Sequence, residues 1–221
     1  MNYSIKQLRD MIRKNKQLQT DFNQWYLKIN KRGTTIAHIA AVYGWLPPDF
    51  DRWYLRDEDG LTVAHEAAYY NHLPHDFNQW ELINKYGKTI AHEAVKYGRL
   101  PPDFNQWNLS DKYGYIIARI AIRYNHLPPD FNQWYLANKY GYTVAHEAAI
   151  YGKLPPDFDQ WDLTDKDGNT VAHVAACFNN LPPDFNQWDL TDINGRTVAQ
   201  VTYEFHHLPP DFDRWDLIKK Y

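Results

Sequence analysis

Ten histidines, one cysteine and two serines are the residues of this chain with the chemistry to bind a metal or attack a substrate. Five of the histidines (His38, His65, His92, His146 and His173) each follow a threonine by three positions, and the five recur along the chain in register. Helices that stack side by side sit about 8–10 Å apart. Two zinc ligands must lie within roughly 4 Å of each other, because zinc–nitrogen bonds are about 2.1 Å long. Equivalent histidines on neighbouring helices therefore cannot share a metal. The Ala-His-Glu-Ala-Ala segment lacks the second histidine of a metalloprotease helix, since Tyr69 stands where it is required after His65. His72 with His75, and His206 with His207, are close enough in sequence to take up adventitious metal. Cys177, Ser4 and Ser110 have no unique base beside them, and no two glycines are spaced as a phosphate cradle. No metal, no cofactor and no catalytic residue is expected. A hydrolase built on His72/His75 or Cys177 stands as an alternative.

The elements that carry these residues are set by a period. Trp53, Trp80, Trp107, Trp134, Trp161, Trp188 and Trp215 recur every 27 residues, and Trp25 precedes them. A fixed period of this size is the pattern of a solenoid. Each unit opens on a turn, Asp-x-x-Gly at residues 57–60 for example, where glycine can take positive φ. Thr62 then suits a helix N-cap, and Val63 to Tyr70 reads as two helical turns with small Ala64, Ala67 and Ala68 for close packing. The position after the helix holds Gly44, Asn71, Gly98, Asn125, Gly152, Asn179 and His206. Glycine and asparagine tolerate the left-handed C-terminal cap, so His206 is the exception. Leu-Pro-Pro-Asp-Phe cannot continue a helix, and a short second helix or 3₁₀ turn is predicted through Asp-Phe-Asn-Gln-Trp. Phe77, Trp80 and Leu82 are expected to face inward, and the tryptophans to form a structural back layer.

Thr-Val-Ala-His at 62–65, 143–146 and 170–173, followed by x-Ala-Ala-x-Tyr and a Gly or Asn stop, resembles the ankyrin repeat. Thr35–His38 and Thr89–His92 match with isoleucine in second place. The resemblance covers residues 30–221 in seven units. It implies a mostly α solenoid of turn–helix–short helix or 3₁₀ repeats, whose histidines are hydrogen-bonding struts between repeats. It also implies a non-enzymatic protein-binding module whose turn tips and inner helices line the binding face. The period departs from the ankyrin value of about 33 residues, and the shortfall lies in the second helix. Residues 1–29 are expected to form a capping helix (Ile5, Leu8 and Ile12 on one face) and a partial repeat ahead of one continuous array.

Positions that vary between repeats are the candidates for recognition. Around the tip glycines these are Tyr86, Lys88, Tyr113, Tyr115, Tyr140 and Tyr142; on the helix they are Tyr69, Lys96 and Arg123. Tyrosine gives rigid, adaptable contact area. A tyrosine ladder that merely stiffens the tips is the competing expectation. The column Tyr43, Tyr70, Tyr97, Tyr124, Tyr151, Phe178 and Phe205 is constant in type and is expected to pack, against the prolines. The fourth repeat places Ile116 and Arg119 where threonine and histidine stand elsewhere, which is either drift or an arginine tuned for an acidic partner.

The net charge of −3 argues against general nucleic-acid binding. The ends differ: residues 1–32 hold eight Lys/Arg against Asp10 and Asp21, and from Asp157 onward five basic face twelve acidic residues. A basic cap with stacking tyrosines keeps nucleic-acid or polyanion binding as another alternative. One cysteine, no apolar leader near the start and no membrane-length apolar run lead to the expectation of a cytoplasmic protein with a protein partner.

Overall fold

The computed structural model describes residues 4–14 and 22–218. The side chains of Arg9, Ile12 and Arg13, together with residues 1–3, 15–21 and 219–221, lie outside that description, and with them part of the expected apolar face and of the basic head. The contacts gather into two compact units, Met1–Tyr113 and Gly114–Tyr221.

The first unit holds α1 (Ile5–Arg13), α2 (Ile36–Tyr43), α3 (Val63–Tyr70) and α4 (Ile90–Lys96), with α2 packed on α3 and α3 on α4. Leu8 of α1 is fully buried. The second unit holds α5 (Ile117–Tyr124), α6 (Val144–Tyr151), α7 (Val171–Cys177) and α8 (Val198–Glu204), again packed in sequence order. Alanines at the helix interfaces, Ala64, Ala67 and Ala68 in α3 for instance, are buried.

These helices are too short to be stable alone, since isolated helices below about 12–15 residues are marginal in water. They persist because backbone from the flanking segments takes up their unpaired ends. At the start of α3, Val63 N–H donates to Leu55 C=O (3.0 Å) and Ala64 N–H to Trp53 C=O (3.2 Å). The third amide, His65 N–H, reaches the Thr62 hydroxyl at 3.3 Å. Thr62 also closes an isolated antiparallel bridge to Arg56, so that the tip is a miniature hairpin. The same arrangement opens α6, where Val144 and Ala145 N–H donate to Leu136 and Trp134 C=O at 2.8 and 3.1 Å.

The helix ends are capped in two layers. Asn71, Asn125 and Asn179 adopt the left-handed conformation, as does Gly44; His206 does so too, at φ 59°, without the freedom of glycine. At five of these ends the residue after the cap then reaches back one repeat. His72 Nδ1 lies 2.9 Å from Ala41 C=O, Lys153 Nζ donates to Ile122 C=O at 2.6 Å, and His207 Nδ1 lies 2.9 Å from Ala176 C=O. Arg99 reaches Ala68 and Tyr69 carbonyls, and Asn180 Nδ2 donates to both Ala149 and Ile150 C=O at 2.8 and 2.9 Å. This column supplies a side-chain donor to carbonyls in the last turn of the preceding helix, several of which also accept their own cap N–H. Asn180→Ala is therefore expected to cost about 1–2 kcal/mol, the worth of the two hydrogen bonds it removes; a urea midpoint unchanged from wild type would contradict the role.

The constant aromatic column is not buried. Its members are about half exposed, from 43% at Tyr70 to 52% at Phe178. Several instead stack on the back-reaching residue two positions on: Tyr43 on Trp45, Tyr124 on His126 and Phe205 on His207 as ring pairs, and Tyr97 under Arg99 at 4.8 Å as a cation–π pair. Constancy here reflects holding the donor in place rather than filling the core.

The back layer takes the 3₁₀-type turn of the two expected forms. Pro-Pro-Asp-Phe-Asn-Gln-Trp makes two separate turns, closed in the second repeat by Phe77 N–H to Pro74 C=O (3.1 Å) and Leu82 N–H to Gln79 C=O (3.3 Å). Among the described residues only Trp215–Leu217 lengthens into a 3₁₀ helix. Proline leaves too few donors for more. The rings compensate. In the first unit Phe22, Trp25, Phe50, Trp53, Phe77, Trp80, Phe104 and Trp107 alternate edge to face, with centroids 4.7–5.7 Å apart. Phe131 to Trp215 do the same in the second. Phe77 and Trp80 are buried and Leu82 is half-buried, whereas Trp215 is 48% exposed.

Candidate functional site

The repeated histidines are struts. Thr62 Oγ1 lies 2.7 Å from His65 Nδ1, and His65 Nε2 lies 3.1 Å from Lys88 C=O at the next tip. His38 meets Leu61 C=O, His146 meets Asn169 C=O and His173 meets Arg196 C=O at 2.9–3.0 Å. Thr35, Thr89 and Thr143 N–H donate to the Nδ1 of His38, His92 and His146, so those rings are neutral with the proton on Nε2. Burial holds His38, His146 and His173 below the usual imidazole value and takes His65 down to about 4. An imidazole donating to a carbonyl through Nε2 and accepting at Nδ1 has no lone pair left for a metal.

The other chemistry-bearing residues are similarly employed. His72 is the back-reaching cap of Ala41, engaged through Nδ1. Burial raises the Cys177 thiol above its ordinary value, opposite to the shift of an activated nucleophile. Among the described residues no group of three or more His, Cys, Asp or Glu could hold a metal.

The tips are built by an Asx side chain at the first position. Asn84 Oδ1 accepts from Tyr86 N–H (2.9 Å) and Lys88 N–H (3.1 Å), and Asn138 does the same for Tyr140 and Tyr142. Within the first unit, Lys85 and Lys112 lie across the glycines of the preceding tips. A Cβ on Gly60 would stand 2.9 Å from Lys85 and one on Gly87 2.6 Å from Lys112, and both glycines have positive φ. The tips are thus stacked by lysine stems on glycine. No ring–ring contact joins Tyr86 to Tyr113 among the described residues. Each tip ring instead meets its own lysine: Lys85 over Tyr86 at 5.1 Å, Lys112 over Tyr113 at 4.9 Å, Lys139 over Tyr140 at 5.0 Å. Tyr86, Tyr113 and Tyr140 are 54–61% exposed.

Tyr142 departs from this pattern. It is half-buried, its hydroxyl donates to His146 C=O at 3.4 Å, and burial followed by Glu147 pushes its phenol up to about 12. On the helices, Tyr69 is 46% exposed and packs edge-on against Tyr70 and Tyr97, while Lys96 pairs with Glu93 at 3.5 Å.

In the second unit Tyr115, Arg119, Arg123 and Tyr142 come together around Glu147. Arg119 Nε donates to Glu147 Oε2 at 3.1 Å with Nη2 adding a second bond, and Arg123 Nε donates to Oε1 at 2.6 Å. The Glu147 side chain is 2% exposed. Arg119 lies 5.0 Å from the Tyr142 ring and 5.7 Å from the Tyr115 ring. The acidic group for which Arg119 is suited is thus inside the molecule. Glu147 escaped the sequence reading because its position one after the strut also holds Glu66 and Glu93, which looked like an ordinary exposed helix face.

Tip hairpin, strut histidine, alanine-rich helix and left-handed cap are the parts of an ankyrin-type repeat. A crystal structure titled "the ankyrin repeat domain of Bcl-3: a unique member of the IkappaB protein family" superposes with a TM-score of 0.59 at 16% identity, over 77% of this chain and 95% of that one. No family model and no curated protein matches the sequence. The fold is that of a mostly helical ankyrin-like repeat solenoid with the second helix of each repeat reduced to turns. No helix among the described residues is long and apolar enough to cross a membrane.

Proposed function

We propose that the chain is a non-enzymatic module that captures a protein partner through its turn tips and inner helices, and so inhibits or tethers it. Tyr86, Lys88, Tyr113, Tyr69 and Lys96 supply contacts from the first unit, and Tyr115, Tyr140, Tyr142 and Arg123 from the second. The observation that carries the reading is the exposure of Tyr86, Tyr113 and Tyr140, each more than half open to solvent on a tip whose stacking is already provided by lysine and glycine. Their rings are not spent on the fold. Exposed tyrosines of this kind are the residues on which protein interfaces concentrate their affinity. The likeness to the repeat domain of an IkappaB family member supports a protein-binding role for the same architecture.

The test is alanine at Tyr86, Tyr113 and Tyr140 together. Capture of a partner identified by pull-down and mass spectrometry is expected to fall at least tenfold, with a melting temperature within about 3 °C of wild type, since surface changes are usually worth under 0.5 kcal/mol each. Undiminished capture would remove the tips from the interface. Tyr142 is left out of this variant, because its contacts with Arg119 and His146 would confuse binding with stability.

A further inference from the structure

The Glu147 cluster is out of charge balance. Two guanidinium groups share one carboxylate, and both carboxylate oxygens are engaged. One positive charge is left over beside the rings of Tyr115 and Tyr142. Arg119 is nearly enclosed, at 10% side-chain exposure, whereas Arg123 is 44% exposed. Arg123 is held by its Nε, and its two Nη nitrogens make no hydrogen bond among the described residues. A guanidinium fixed at Nε presents its remaining edge in the fork that matches a carboxylate. Elsewhere the strut is neutral, Thr–His in most repeats and Thr197–Gln200 in the last, and a buried ion cluster is at best neutral for stability beside such an alternative. The fold therefore gives no reason for the second arginine.

We propose that Tyr115, Arg119, Arg123 and Tyr142 form a carboxylate receptor, in which Arg123 takes an aspartate or glutamate side chain from a segment of the partner protein. Glu147 orients both guanidiniums, Arg119 keeps the site net positive, and the Tyr115 ring lies 5.8 Å from the Arg123 guanidinium on its aromatic side. This rests on the protein-binding reading and adds the chemistry of the partner: an acidic segment, docked on the inner helices of the second unit.

The experiment is selection of a displayed library of random twelve-residue peptides on the whole chain, followed by affinity measurements with synthetic copies of the selected peptides. The expected peptides share one Asp or Glu. Changing that residue to its amide, or making Arg123→Gln, weakens binding about tenfold or more, as for loss of a charge-assisted pair. Both changes together weaken it no more than either alone. Arg123→Gln leaves Arg119 paired with Glu147 through two bonds and keeps an amide donor for Oε1, so its circular dichroism matches wild type and the chain remains folded at the temperature of the binding measurement. Peptides without a common acidic residue, or losses that add in full, overturn the receptor. Peptides that depend on Tyr86, Tyr113 or Tyr140 but ignore Arg123 overturn it while leaving the protein-binding reading intact. Failure to select any peptide counts against both.

Discussion

Arg119→Met is expected to destabilise the second unit by about 3 kcal/mol, the low end of the cost of breaking a buried ion pair. The loss comes from Glu147, which stays 2% exposed with only Arg123 to balance it. Methionine fills the same volume, so packing contributes little. The penalty is expected to shrink as the pH falls, since an unpaired buried carboxylate is relieved by protonation. The compensated double variant Ile116→Thr with Arg119→His rebuilds the pair found at Thr62 and His65. There the histidine faces Glu93 in the place that corresponds to Glu147. That variant is expected to fall between wild type and Arg119→Met, because the neutral strut is rebuilt while Glu147 keeps only Arg123 as a partner. Urea denaturation of the three proteins at pH 7.5 and 4.5 separates the cases. Equal midpoints for wild type and Arg119→Met at pH 7.5 would show that the cluster contributes no stability.

Acid is expected to unfold the protein over the window set by its struts. The unfolded chain protonates histidine near 6.5, whereas folded His65 does so only at about 4 and folded His38, His146 and His173 also below 6.5. Between those values the unfolded state binds protons that the folded state refuses, so stability falls as the pH drops from 6.5 and levels off below the folded pKa. Above 6.5 these groups leave stability flat. His65 alone accounts for about 3 kcal/mol across the window, at 1.36 kcal/mol for each pKa unit. Glu66 works the other way, because burial raises its carboxyl and the folded form takes up a proton first. His65→Gln is the diagnostic variant. Glutamine already serves in this position at Gln200, where Oε1 accepts from Thr197 N–H at 2.9 Å. The variant is expected to lose about 1 kcal/mol at pH 7.5, for the bond to Lys88 C=O, and to show a shallower fall toward pH 4. Parallel pH profiles for the two proteins would sink the assignment.

Much of this architecture is written in the order of the residues. The 27-residue period, the threonine caps and the Gly or Asn stops each act locally, so the helices begin and end where those residues stand. What acts between repeats was harder to see. The half-exposed aromatic column and the donors two positions beyond it only make sense together, since one stacks on the other while the donor reaches into the previous repeat. A signal was present: Trp45, His72, Arg99, His126, Lys153, Asn180 and His207 are all hydrogen-bond donors, and none is acidic. For the back layer, Asp-Phe-Asn-Gln-Trp is compatible with either a short helix or a 3₁₀ turn, and the ring contacts that accompany the turns come from neighbouring repeats. Arg119 and Glu147 are 28 residues apart, one repeat and one position, a register visible only once the helices are stacked.

The edge-to-face alternation of phenylalanine and tryptophan makes the protein its own optical instrument. Apart from Trp45, which stacks on Tyr43, each 27-residue segment carries one indole, set against phenyl rings rather than another indole. Emission from any one tryptophan therefore reports on its own segment. With the remaining indoles changed to phenylalanine, a set of single-tryptophan chains would show whether heat or denaturant melts the repeats one by one or all at once.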